Sequence, residues 1–515
     1  MPNQLDKIIE GHFLTMSVAT PTVAAVGIKD GIIVETGSVE DLQMLANSKT
    51  QHLDLTGRTI LPGFIDTHVH PAFTGKKLTG LDVETAGSVA EIIDRITARV
   101  STTPAEEVIY ATGFNYPTVK ENRLPTLSEL DALSSEHAIA IHVIDGHSIM
   151  LNSKLLAQMD FPPGTEGVVV DGDGNPTGLV EDPAIALLFS TFTPTDEARY
   201  MELIQVTAQA ALAVGVTTAH MKEPPEAMAM LLANEADLPI RVKPFYLIPP
   251  DAFNDIDSVL VGGEHSKRSI IGIIADGAPD SKTAAYFEPY PDDASNFGVL
   301  FSTDEELMPV IEKAHRAGYQ VSVHTCGCRA TEQVLQLFET VLQDHPRPDH
   351  RHRFEHFETA SEAQLRRIVK LGLSASMHPQ HTNICEGYSE YMSGILPKSM
   401  SDRMIPLRSL LDSGMLIGGG SDSPVAPMAP LTSIQDCLIR QVEKHCISLY
   451  EALRMFTVDA ARLGFEENLK GTIEKGKVAD FAVLADDPFQ VPVGRLKDID
   501  VVMTIVGGKV MYENK

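Results

Sequence analysis

Two patterns of apolar and polar positions divide this chain. Over about the first 55 residues and the last 45, short β-rich runs alternate with turn residues rather than with helical stretches. Val23-Ala-Ala-Val-Gly-Ile28 and Ile32-Ile-Val34 flank Lys29-Asp-Gly31, a strong hairpin signal. At the other end, Asp480-Phe-Ala-Val-Leu-Ala-Asp486 is followed by Val501-Val-Met-Thr-Ile-Val506 and a Gly507-Gly508 turn. Two β-rich ends around a middle of different character predict one small β-sandwich built from both termini, over 1–60 and 466–515.

From 61 to 465, apolar runs alternate with helical stretches, the pattern of a parallel sheet. One run ends at His70. The others are Gly215-Val-Thr-Thr-Ala-His220, Ile240-Arg-Val-Lys-Pro-Phe-Tyr246, Ile270-Ile-Gly-Ile-Ile-Ala-Asp276, Tyr319-Gln-Val-Ser-Val-His324, Arg353-Phe-Glu-His356, Leu373-Ser-Ala-Ser-Met-His378 and Met415-Leu-Ile-Gly-Gly-Gly-Ser-Asp422. Eight such strands predict an α/β fold, a TIM-like (β/α)8 barrel, whose active site lies at the C-terminal face of the sheet. The stretch from about 106 to 190 is too long for a simple connection. It carries its own strand at Ala138-Ile-Ala-Ile-His-Val-Ile-Asp145 and a Gly-rich turn at Asp171-Gly-Asp-Gly-Asn-Pro176, and reads as a lid inserted after the first strand.

The chemistry concentrates at strand ends. In Leu61-Pro-Gly-Phe-Ile-Asp-Thr-His-Val-His-Pro71, His68 and His70 stand two apart, so on a strand both imidazoles project from one face. Such a pair chelates a divalent ion, and the ion activates water at neutral pH. His324 ends the fifth strand, His356 the sixth, and Asp422 the eighth. Each alone has an ordinary explanation, a hydrogen-bonded histidine or a turn cap. Together on one barrel face they form a nitrogen and carboxylate set with an open position, as a catalytic zinc-like ion requires.

Composition narrows the function further. With 515 residues, 43% of them hydrophobic, the chain can bury a barrel core and an accessory domain. A formal charge of −29 argues against nucleic acid or an anionic membrane as partner, since both are polyanions. The acidity reads first as a solubilising surface, and preference for a cationic substrate is the weaker reading. Neither a signal-peptide pattern nor a run of twenty apolar residues is visible. Cys326, Cys328, Cys385, Cys437 and Cys446 follow no framework spacing, so a reduced cytoplasm is the expected location.

Further residues carry a family resemblance. Gly63-Phe-Ile-Asp-Thr-His-Val-His70, His324 followed by Gly327 and Arg329-Ala330, Arg353-Phe-Glu-His356 and Gly420-Ser-Asp-Ser-Pro-Val425 together resemble the amidohydrolase superfamily. Asp145-Gly-His147, Pro176-Thr-Gly-Leu-Val-Glu181, Ala275-Asp-Gly277, Lys282-Thr-Ala284 and Gly471-Thr-Ile-Glu-Lys-Gly-Lys-Val-Ala-Asp480 are similar to its amidohydrolase-3 (YtcJ-like) branch, which includes N-substituted formamide deformylase. The resemblance implies that His68, His70, His324 and Asp422 surround the metal. It makes His356 a further ligand or a hydrogen-bonding partner of the reacting group. It also implies water attack on a C–N bond, with Asp422 taking the water proton and passing it to the leaving nitrogen. His147, Glu181, Asp145 and Arg329 become candidates for binding substrate.

The chain departs from that pattern. Gly272 stands where many relatives place a metal-bridging lysine, Lys222 lies on another strand and reads as an ordinary lysine, and Met221 and Cys328 replace acidic residues. The expectation is therefore one divalent ion per chain, zinc, in a hydrolase of small-molecule C–N bonds other than peptide bonds. Alternatives are a single-metal deaminase of a heterocyclic amine and an inactive small-molecule-binding relative. Homo-oligomerisation stays open.

Overall fold

The computed structural model describes residues 4–105, 107–144, 146–181, 184–185, 188, 196–260, 269–383, 388–440 and 442–514. Eight parallel strands form its central sheet: β1 (Phe64–Val69), β2 (Val216–Glu223), β3 (Arg241–Leu247), β4 (Ile270–Ile274), β5 (Gln320–Thr325), β6 (Arg353–His356), β7 (Ser374–Met377) and β8 (Ile417–Gly419). They neighbour one another in chain order. The seam is closed by a parallel bridge between Val69 and Ser423. All eight runs expected as strands are strands, and the sheet is a TIM-like barrel. Its strands are buried on both faces, which is why they read as nearly continuous apolar runs.

Helices return the chain between strands, and local chemistry ends them. The helix Asp304–Arg316 before β5 starts in a capping box, with Thr303 and Glu306 satisfying each other's backbone N–H groups. The helix Glu362–Leu371 before β7 starts the same way at Ser361 and stops at Gly372, whose φ of 73° suits glycine. Caps that close these two helices within a residue or two hold the ends of β5 and β7 in register.

Strands from both ends of the chain share one seven-stranded sheet, in the order Lys509–Glu513, Val501–Val506, Phe481–Leu484, Gln51–Pro62, Lys7–Leu14, Thr22–Lys29 and Ile32–Gly37. The sheet folds over its own core, in which Phe13 packs edge-on against Phe481 with ring centroids 5.7 Å apart. A bridge from Ile32 to Val478 ties its N-terminal edge back. The last residues of Gln51–Pro62 lead directly into β1, so this sheet anchors the strand that carries the histidine pair.

A third, six-stranded sheet lies in the segment between β1 and β2. It includes Ile139–Val143, Ser148–Leu151 and Pro176–Glu181, and its sixth strand is Leu81–Asp82, upstream of the insertion start at about 106 read from the pattern. The helix Val89–Val100 packs into the same core, through Val89, Ile92 and Ile96. Among the described residues, no helix is long and apolar enough to cross a membrane.

Candidate active site

Barrel closure brings the first three donors together. The Asp422 N–H donates to His68 O, and the His70 N–H donates to Ser423 O, each at 2.9 Å. The backbone after β8 therefore lies along the end of β1. Gly420 allows the approach, since a Cβ there would stand 3.0 Å from the His68 nitrogen. His68 Nε2 and His70 Nε2 are 3.2 Å apart, and Asp422 Oδ1 is 3.2 Å from the first and 3.3 Å from the second. Asp422 and His356 have φ of 59° and 66°, in the left-handed region. Both are held there against the ordinary preference of a side-chain-bearing residue.

Glu355 fixes the orientation of His68. The two meet at 2.6 Å, Nδ1 to Oε2, with both side chains fully buried. Burial favours the neutral acid, but Arg353, 2.5 Å from Oε1, and His68 outweigh it and hold the Glu355 carboxyl well below its ordinary range. An ionised Glu355 accepts the Nδ1–H of His68 and leaves the Nε2 lone pair facing Asp422. Arg353 is itself held by Thr67 O at 3.1 Å and His220 Nδ1 at 3.0 Å.

Four more imidazoles surround this group. His324 and His356 stack edge to face with centroids 4.2 Å apart. His356 Nδ1 and His381 Nε2 each lie 3.7 Å from Asp422 Oδ2. His378 packs 5.1 Å from His68 and 4.7 Å from His356, centroid to centroid. Burial depresses most of these rings: His70 to about 4, His378 to about 3, and His324 and His356 well below the usual imidazole value. They are neutral near pH 7, the state in which imidazole binds metal. Burial also pushes up the Asp422 carboxyl, but His68, His356 and nearby His70 hold it far below the ordinary value, so it is ionised.

The donor set fits a divalent ion. Ligand atoms about 2.0–2.2 Å from a common tetrahedral ion stand roughly 3.3–3.6 Å apart, close to the spacing of the His68, His70 and Asp422 atoms. Asp422 Oδ1, both ring nitrogens of His378 and His381 Nε2 are buried without a hydrogen bond. Buried polar atoms are rarely left so, and an ion is the partner that several converging lone pairs lack.

The remaining expected residues divide. His147, on the turn between Ile139–Val143 and Ser148–Leu151, faces His324 at 5.2 Å and lines a cavity over the cluster. Glu181 ends its strand opposite Ser148 and is not among the lining residues of that cavity. Arg329 donates to Gly298 O at 2.9 Å and is likewise not brought to it, because the helix after β5 turns its side chain away. Asp145 lies outside the described residues.

His378, His381, Glu355 and Lys222 are site residues that sequence reasoning missed. A histidine ending strand seven, as others end five and six, was the available signal for His378. His381 arrives only through the tight turn Pro379–Thr382. Lys222, read as ordinary, is 3% exposed, lines the cavity and makes no hydrogen bond or ion pair with another described residue. Its ammonium stands 5.3 Å from the Phe245 ring. That ring fills the space beside Gly272, where a Cβ would come within 2.2 Å of it.

Comparison with known proteins agrees with this geometry. The model of the amidohydrolase family (Amidohydro_3) matches residues 51–512. The chain is 28% identical to the putative amidohydrolase YtcJ of Bacillus subtilis, covering 98% of both chains. It is 25% identical to the N-substituted formamide deformylase of Arthrobacter pascens, again over 98% of each. The crystal structure of an uncharacterized metal-dependent hydrolase from Pyrococcus horikoshii superposes with a TM-score of 0.77 at 23% identity, covering 95% of this chain and 99% of that one.

Proposed function

The chain belongs to the amidohydrolase family, and from that premise we propose that it hydrolyses an amide or formamide C–N bond of a small molecule with one bound zinc ion. The observation that carries this reading is the convergence of His68 Nε2, His70 Nε2 and buried Asp422 Oδ1 within 3.3 Å of one another. Similarity over nearly its whole length to an N-substituted formamide deformylase supports the amide class.

His68, His70, His324 and Asp422 would hold the ion. A divalent ion in such a set lowers the pKa of water and polarises a carbonyl. The chain's own residues do the rest. Glu355 keeps the Nε2 of His68 turned inward. Ionised Asp422 accepts the proton of the attacking water and delivers it to the leaving nitrogen, which is otherwise too basic to depart. His356, 3.7 Å from Asp422 Oδ2, hydrogen-bonds the reacting group and steadies that carboxylate. The inserted sheet, through His147, shields the reaction from bulk water.

The test is a screen of metal-reconstituted protein against formamides, N-acyl amines and cyclic amides, following carboxylic acid and amine release. Turnover that disappears on chelation and returns with zinc is expected. Ammonia from heterocyclic amines, with no amide cleaved, would replace this reading by a deaminase.

A further inference from the structure

His324, His356 and Asp422 line both of two neighbouring cavities, of about 980 and about 370 Å³ with their open mouths counted. The larger is walled by Phe73, Ile144, Phe253, Ile274 and Phe301. Among its described lining residues Asp422 is the only carboxylate and Lys222 the only lysine or arginine. The smaller is lined by Asp280, Glu358 and His381 together with apolar Pro279, Met392 and Met404, and has no lysine or arginine among its described lining residues. We infer that the substrate carries an apolar group on one side of its scissile bond and a protonated amino group on the other, the amino group seated against Glu358.

Glu358 carries the argument. It lies two residues past His356, is 3% exposed, and lines the smaller cavity. Its Oε1 meets His381 Nδ1 at 3.2 Å, while Oε2 has no hydrogen-bond partner. A buried carboxylate oxygen without a partner lacks a donor, and an ammonium group brings three. The oxygen is not claimed by the metal cluster: no set of described His, Cys, Asp and Glu donor atoms lying within 4.8 Å of one another includes Glu358. His381 links Glu358 to Asp422 Oδ2, so an amino group held there lies on the far side of the reacting carboxylate from the apolar chamber. The net charge of −29 independently favours the approach of a cation over that of an anion.

This inference rests on the amide-hydrolysis reading for the identity of the bond, but not for the binding of the two groups. The test therefore pairs turnover with binding on the zinc-loaded protein. Glycine benzylamide should exceed N-benzylpropionamide, which has methyl in place of ammonium, in kcat/KM by about 10- to 100-fold, the worth of charge-assisted hydrogen bonds. By calorimetry 4-phenylbutylammonium should bind more tightly than 4-phenylbutanol by a similar factor. Glu358→Gln should erase both ratios while zinc content, by elemental analysis, and the melting temperature hold. Equal binding of the two calorimetric probes to the wild type would overturn the inference, as would loss of zinc from Glu358→Gln, since Glu358 would then belong to the metal centre. Glu358-dependent ammonium binding without cleavage of any amide would sustain the chamber assignment and refute the amide reading instead.

Discussion

Asp422 is held in a left-handed backbone conformation, bonded through its N–H to the strand that carries the histidine pair, with its carboxylate between four imidazoles. Asn tolerates that conformation as well as Asp does and is nearly isosteric, but it cannot take a proton. Asp422→Asn should therefore keep its melting temperature and lose roughly 10²- to 10⁴-fold in turnover. Near-normal turnover of the metal-loaded variant would remove Asp422 from proton transfer. The rings make a second prediction. His70, lowered by burial to about 4 with only partial compensation from Asp422, is neutral at pH 6.5, where an ordinary imidazole is half charged. Acid competes with the metal at this ring only as it protonates, so the share of zinc affinity that His70 supplies should be lost as pH drops through about 4 and not near 6.5. A fall centred near 6.5 would mean that these rings titrate normally.

At the level of elements, the strand ends were legible because period-two alternation and position on a barrel face are local properties. His68, His70, His324, His356 and Asp422 could be placed from apolar runs alone; the donor atoms of His68, His70 and Asp422 lie within 3.3 Å of one another, while His324 packs on His356. What stayed hidden depends on partners distant in sequence. Glu355 was in view within Arg353-Phe-Glu-His356, but its bond to His68 spans 287 positions. The placement of Lys222 depends on its neighbour β3, where Phe245 stands against it and occupies the room beside Gly272. This complementarity predicts coupling. Gly272→Ala should cost about 1–3 kcal/mol by overpacking, and Phe245→Leu should recover part of that loss in the double variant. Additive effects in denaturant melts would show that the ring does not define the gap.

At the scale of the whole molecule, one sheet built from both termini holds β1 at its start, and the six-stranded sheet inserted after β1 delivers His147 to the cavity. This division of labour predicts that His147→Ala changes kcat/KM on an identified substrate several-fold while metal content is unaltered. Lost metal would instead place His147 in the metal centre. The extent of the insertion was harder to read than its existence, because Leu81–Asp82 is only two residues long and leaves no periodic trace. The central claim is that the histidine pair and Asp422 hold a single catalytic ion, and elemental analysis of purified wild type beside His70→Ala tests it most directly. His70 suits the purpose because, unlike His68, it is not the partner of buried Glu355, so its loss leaves no carboxylate outside the metal set unpaired. The account predicts about one equivalent of zinc in the wild type and near none in a His70→Ala protein that melts normally. Two equivalents in the wild type, or full retention in the variant, would contradict it.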